Sequence, residues 1–253
     1  MTYHPSTVLI TGATGDFGKA FCKRYAEIGC KIIVHGRNKD KVEALCAELE
    51  TETYPLVFDV TDKQASLQAL SSVPSKYQNI DLLINNAGGA LGLDKAQDAL
   101  LEDWENMISM NVTGLVRVTN VILKGMANRR KGHIINIGSI SGNWPYPGGH
   151  VYCATKAFVK QFSLAIRADL QGTNVRVSNI EPGMVETKFS YERFKGDKDR
   201  ADAVYANTTP LTAEDIAETV FWTSTLPQHV NINTLEVMPT KQTFAGLVTE
   251  RDD

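Results

Sequence analysis

Thr11-Gly12-Ala13-Thr14-Gly15-Asp16-Phe17-Gly18 decides how this 253-residue chain is read. The run before it, Thr7-Val8-Leu9-Ile10, has strand character. After it, Phe17, Ala20, Phe21 and Tyr25 recur at helical spacing. A strand, a glycine turn and a helix in that order form a phosphate cradle, because the turn aims the first helical amides at an anion. Gly12 suits the tight turn, Gly15 leaves a bare surface, and Gly18 permits close helix packing. Thr14 and Phe17 are expected to line the same groove. Asp16 is unexpected beside a pyrophosphate. A carboxylate is nevertheless favoured at a helix N-terminus, so its side chain is expected to turn away from the phosphates.

Outward from this loop, apolar runs of strand length alternate with helical patterns. Lys31–Gly36 reads as the second strand, Tyr54–Val60 and Asp81–Gly88 as further strands, then His133–Ser139 and Val175–Gly183. Helical stretches lie at about 101–128 and 152–170. Strands that are apolar throughout belong to a parallel sheet covered on both faces. Repeated β-α-β units give an α/β, doubly wound, Rossmann-type sheet in a single domain over residues 1–253. The charged stretch 189–207 interrupts the pattern and is expected to cover a site or to lie as solvated surface. Thr212 and Asp215 stand at the spacing of a capping box.

Composition excludes several classes. The net charge of −3 gives no footprint for nucleic acid, and Arg129-Arg130-Lys131 is the one tight basic run. No apolar run reaches membrane-spanning length. Cys22, Cys30, Cys46 and Cys153 form no CxxC pair, and the five histidines form no HExxH motif, so no metal is expected. Reduced thiols and the lack of a signal-like start point to a cytoplasmic protein.

The second strand ends in His35-Gly36-Arg37-Asn38-Lys39, with no carboxylate to accept from a ribose 2′-hydroxyl. Arg37 instead suits a 2′-phosphate by charge and by its forked donors, so NADP(H) is the expected cofactor. His35, Asn38, Lys39 and Lys41 stand near enough in sequence to assist. Asp59-Val60 is placed to receive the adenine amino group.

Tyr152 and Lys156 lie four apart on one helical face. Tyr191 and Lys195 have the same spacing, so only context separates the pairs. Ser139 ends an apolar strand at the carboxyl edge of the sheet, where ligands bind in open α/β folds. Asn85-Asn86-Ala87-Gly88 ends another strand at that edge, and Asn111 lies in the helix that follows. A phenol beside an ammonium has a lowered pKa and can act as a general acid or base. Ser139 can stabilise negative charge on a reacting oxygen. Trp144 and Tyr146, between Ser139 and Tyr152, are candidates to line a pocket. Arg193, or else Lys195, is a candidate to bind a substrate carboxylate.

With the glycine loop, Asn86-Ala87-Gly88, Asn111, Ser139, Tyr152/Lys156 and Pro182–Thr187 in this order, the chain resembles the short-chain dehydrogenase/reductase family over nearly its whole length. The resemblance implies that Tyr152 is the acid/base and that Lys156 also reaches ribose hydroxyls. It implies that Asn111 holds a water, and that Pro182, Gly183, Val185 and Thr187 contact the nicotinamide carboxamide. It also implies a homotetramer. Asp16 departs from the family, whose compact branch has glycine there. "HIINIGSISGNWPYPGG" and "IEPGMVETKFSYERFKGD" further resemble the NADP-dependent 3-hydroxy acid dehydrogenases. This implies hydride transfer at C3 of serine, allo-threonine or related short 3-hydroxy acids. Two alternatives remain at this stage: a reductase of 3-oxoacyl groups on a carrier protein docked by Arg129-Arg130-Lys131, and a non-catalytic NADP(H)-sensing scaffold.

Overall fold

The computed structural model describes residues 3–244. Seven strands are β1 (Thr7–Ile10), β2 (Lys31–Gly36), β3 (Thr53–Val57), β4 (Leu82–Asn85), β5 (Gly132–Ile137), β6 (Val175–Pro182) and β7 (Thr234–Val237). They form one parallel sheet in the order β3-β2-β1-β4-β5-β6-β7. The helices are α1 (Asp16–Ala26), α2 (Lys39–Glu48), α3 (Lys63–Ser71), α4 (Leu101–Ile108), α5 (Leu115–Arg129), α6 (His150–Asp169), α7 (Phe189–Arg193), α8 (Lys198–Ala203) and α9 (Ala213–Thr225).

The strands are apolar on both faces because each face has its own core. Val8 and Ile10 of β1 join Ile32, Val34, Leu82 and Ile84 in a cluster with Phe21 and Tyr25 of α1 and Val220 of α9. Leu9, Ile33 and Leu83 point the other way, into a cluster with Val118, Ile122 and Met126 of α5. The alternation follows the two-residue period of a strand. Strand order reverses between β1 and β4, which opens a crevice at the carboxyl ends of the sheet.

Buried amides tie the helices to the sheet at that edge. Asn85 Nδ2 donates to Thr119 of α5 and to Asn136 Oδ1, both at 2.8 Å. Asn136 Nδ2 donates to Ser163 of α6 at 2.8 Å. These directional bonds fix one arrangement of α5, α6 and the sheet.

Three features depart from the sequence pattern. The expected long helix at 101–128 is α4 and α5 joined through a π-helical turn at Ser109–Gly114. The stretch 189–207 folds into α7 and α8. A seventh strand, β7, was not marked by periodicity, being four residues long and only half-buried at the sheet edge. The capping box at α9 is complete: the Asp215 amide donates to Thr212 Oγ1, and the Thr212 amide donates to Asp215 Oδ2.

Candidate active site

The glycine turn is laced to the end of β4. Thr11 Oγ1 accepts from the amides of Asn86 and Ala87 at 2.9 and 3.0 Å. Asn86 Nδ2 donates to the carbonyls of Thr11 and Gly12. Gly12 has φ +63°, and a Cβ there would lie 3.0 Å from Ala87 Cα. A Cβ on Gly18 would run into the Gly12 carbonyl, whereas Gly15 has room for one. Thr14 packs its methyl against Gly36. Phe17 instead turns inward towards Phe21, with ring centroids 6.2 Å apart. Asp16 opens α1, and its Oδ2 accepts from the amide of Lys188 at 2.7 Å.

At the end of β2, Arg37 is exposed. Asn38 is engaged as the cap of α2, accepting from the Lys41 amide at 3.0 Å. His35 is buried and takes no part in that surface. Its Nδ1 accepts from the Gly12 amide at 3.1 Å, and its Nε2 faces the Phe58 carbonyl at 3.2 Å. Asp59 Oδ1 accepts from the amide and hydroxyl of Thr61. The Val60 carbonyl accepts from Arg117, and Val60 packs against Gly114. This groove, with a bare turn, the N-terminal amides of α1 and the exposed Arg37 at the ribose end, fits a dinucleotide with a 2′-phosphate.

The chemical groups meet where β4 and β5 end. Ser139 caps the 3₁₀ turn Ile140–Gly142, accepting from the Ser141 amide at 3.1 Å and donating to Ser141 Oγ at 2.9 Å. Tyr152 and Lys156 share the buried face of α6. Lys156 Nζ donates to the Ile137 carbonyl at 2.8 Å and lies 5.8 Å from the centre of the Tyr152 ring. Asn111 sits in the π turn. It exchanges two hydrogen bonds with the backbone of Gly89 and donates to Thr155 Oγ1 at 3.1 Å. A Cβ on Gly88 would lie 2.8 Å from Asn111 Oδ1 and 3.8 Å from Lys156 Nζ, so glycine lets these two groups converge.

The electrostatics differ from the sequence expectation in one respect. Burial pushes the Tyr152 phenol well above its usual value; Tyr146 adds to this, and the Ser139 hydroxyl and Arg193 oppose it. Burial also lowers Lys156 to about 8. In the protein alone, desolvation outweighs any lowering of the phenol by the ammonium.

The 182–207 segment closes over this edge. Pro182 ends β6, the Gly183 amide donates to the Val237 carbonyl at 2.7 Å, and Val185 forms a bridge with Leu211. Thr187 Oγ1 accepts from the Phe189 amide, and the Phe189 ring lies 5.8 Å from that of Tyr152. Arg193 is buried beside Tyr152, its guanidinium carbon 5.8 Å from the ring centre. Its Nε donates to the Gly92 carbonyl and its Nη1 to Tyr146 Oη, both at 2.9 Å. Among the described residues its buried Nη2 has no partner. Lys195 turns away to an ion pair with Asp103 at 2.8 Å, and Tyr191 is half-exposed. Trp144 also points elsewhere: its Nε1 donates to Glu236 at 3.0 Å and its ring packs on Phe244.

Sequence reasoning missed Thr11, which organises the start of the β4–α4 connection, and Thr155, which receives Asn111. It also offered His35 as a helper at the 2′-phosphate, whereas the ring is buried between the Gly12 amide and the Phe58 carbonyl.

Comparison with known proteins places the chain in a family. Residues 6–198 match the family model described as short chain dehydrogenase. The chain is 53% identical to the NADP-dependent 3-hydroxy acid dehydrogenase of Shigella flexneri over 245 residues, 96% of this chain and 99% of that protein. It is 45% identical to the serine 3-dehydrogenase of Agrobacterium fabrum, over 97% of this chain and 98% of that one. Among solved structures, the closed form of a serine dehydrogenase complexed with NADP+ superposes with a TM-score of 0.95 at 52% identity, covering 97% of this chain and 100% of that chain. The chain belongs to the short-chain dehydrogenase family.

Proposed function

We propose that this protein is an NADP(H)-dependent oxidoreductase that transfers hydride at C3 of short 3-hydroxy acids of the serine, allo-threonine, 3-hydroxypropionate or 3-hydroxyisobutyrate type. The reverse reaction acts on the matching 3-oxo acids and semialdehydes. The observation that carries the substrate class is Arg193. A buried guanidinium beside the acid/base tyrosine, bonded among the described residues to neutral groups alone and with one nitrogen left without a partner there, is costly without an anion. A carboxylate two carbons from the reacting C3 would supply that anion through a forked pair.

When bound, NADP(H) supplies the hydride chemistry. The glycine loop, Arg37, Asp59, Val60, Asn86, Ala87 and Gly88, together with Pro182–Thr187, are the residues that would hold it. Tyr152 Oη removes the hydroxyl proton of the substrate in oxidation and returns it in reduction. Ser139 Oγ donates to the same oxygen. Lys156 provides the neighbouring positive charge, and Asn111, fixed by Gly89 and Thr155, would anchor the water leading from it. Tyr146 holds Arg193 in place. Trp144 fits a wall of the loop better than a substrate contact.

Carrier-protein docking by Arg129-Arg130-Lys131 has less support. Arg129 is bonded to the Ile80 carbonyl and Lys131 is paired with Asp81. The run precedes β5, whereas Ser139 follows it, about 20 Å away across six residues of strand. The assembly we expect is a homotetramer that covers the exposed Ile108 and the Phe158–Phe162 stack; sedimentation would read it directly. Arg193→Ala tests the substrate class. KM for a 3-hydroxy acid should rise about tenfold to a hundredfold, with turnover of an uncharged secondary alcohol spared. Equal losses on both substrates would refute it.

A further inference from the structure

We propose that Asp16 is a positioning residue that holds the 183–207 segment closed over the cofactor groove, through the hydrogen bond from the Lys188 amide to its Oδ2. The proposal rests on the reading that this groove takes NADP(H), and it does not depend on which hydroxy acid is the substrate.

The far end of this segment is held in several ways. The Gly92 amide donates to the Arg193 carbonyl, and Arg193 Nε returns a bond to the Gly92 carbonyl. Arg193 also reaches Tyr146, and Lys195 pairs with Asp103. The near end is anchored to the sheet: the Gly183 amide donates to the Val237 carbonyl, the Glu186 amide to the Leu211 carbonyl, and buried Val185 joins the core. A cavity of about 370 Å³ separates the glycine-loop side from α7 and α8, bordered by Asp16, Thr187, Lys188, Tyr191, Lys198 and Tyr205. Along the border of this cavity the Asp16–Lys188 bond, at 2.7 Å, ties the glycine loop to the start of α7. The same carboxylate stands at the N-terminus of α1, where the dipole favours negative charge. The Lys188 amide thus keeps it turned towards α7 and away from the place a pyrophosphate would take. Glycine at this position has nothing with which to reach Lys188. The departure at residue 16 exchanges a bare turn for a tether between the phosphate loop and the segment that carries Arg193.

Hydrogen exchange on the NADP+-bound protein tests this without any substrate. In Asp16→Ala, the amides from Lys188 to Arg193 should exchange about tenfold faster or more, as expected for loss of one charge-assisted bond. Exchange at Phe21 and Tyr25 in α1 should hold steady. Asp16→Asn keeps an acceptor oxygen and should stay within about threefold of the parent. Asp16→Ser keeps a polar side chain in the first turn of α1 but is too short to reach Lys188; it should behave as Asp16→Ala and provides a second folded variant. NADP+ affinity, measured by calorimetry, should change less than about tenfold in all three. KM for a 3-hydroxy acid should rise in Asp16→Ala and Asp16→Ser more than kcat falls, with Asp16→Asn restoring it. Unchanged exchange at 188–193 in both Asp16→Ala and Asp16→Ser would overturn the proposal and leave the substrate reading standing. So would a hundredfold gain in NADP+ affinity in Asp16→Gly, which would show that the carboxylate faces the phosphates.

Discussion

The amide of Gly12 donates to Nδ1 of His35 at 3.1 Å, and the other ring nitrogen meets the Phe58 carbonyl at 3.2 Å. This pair of bonds assigns the neutral imidazole with its proton on Nε2. The His35 carbonyl also accepts from the Ala13 amide at 2.8 Å. One residue of β2 thus fixes two successive amides of the phosphate turn.

Acid should weaken the fold through this residue. Burial lowers His35 from 6.5 to about 4. The unfolded chain takes up its proton first, so stability is complete above about pH 6.5 and is lost as pH falls towards 4. The loss amounts to about 3 kcal/mol. His133, also buried and lowered, adds to it. Urea unfolding at pH 7, 5.5 and 4.5 should show the decline, and His35→Gln should flatten part of it.

Lys156 should act against stability. Burial lowers it from 10.5 to about 8. The penalty for a buried ammonium is therefore full below pH 8 and fades as pH rises through 10.5. Lys156→Met should raise unfolding free energy at pH 7 by about 1–3 kcal/mol while abolishing turnover. A destabilised variant would count against the assignment.

Removing the phenolic oxygen should separate binding from chemistry. Tyr152→Phe is expected to lower kcat by about a thousandfold or more and to leave the NADP+ dissociation constant within about threefold. Fluorescence titration and stopped-flow absorbance read the two quantities; retained turnover would remove Tyr152 from its role.

Arg37 should set cofactor preference. Arg37→Ala is expected to raise KM for NADPH about tenfold to a hundredfold, the value of a charge-assisted pair, with little effect on NADH. A clear preference of the parent protein for NADH would be the losing result.

Much of the site was legible because its residues stand at strand ends, where position along the chain maps directly onto position in space. Ser139 and Asn86 are placed by the sheet, and Tyr152 and Lys156 by one helical face. Orientation was harder to read. Trp144 follows Ser139 closely in sequence yet is turned to Glu236 of β7, two strands away from β5. Arg193 and Lys195 differ by two residues and face different partners. The left-handed backbone of Lys195, at φ +53°, marks the break between them. Such divergence arises from tertiary contacts that no local pattern encodes.

The wide turn at Ser109–Gly114 constrains how this chain can change length. A regular helix through 101–129 would have better backbone geometry. A π turn holds one residue more than an α turn, so deleting one residue there would let the helix close into regular geometry with Val118 and Met126 still on the sheet, but would carry Asn111 off Gly89. Insertions can therefore collect in the connection before Leu101, while the span from Asn111 to Met126 keeps its residue count as strictly as its chemistry.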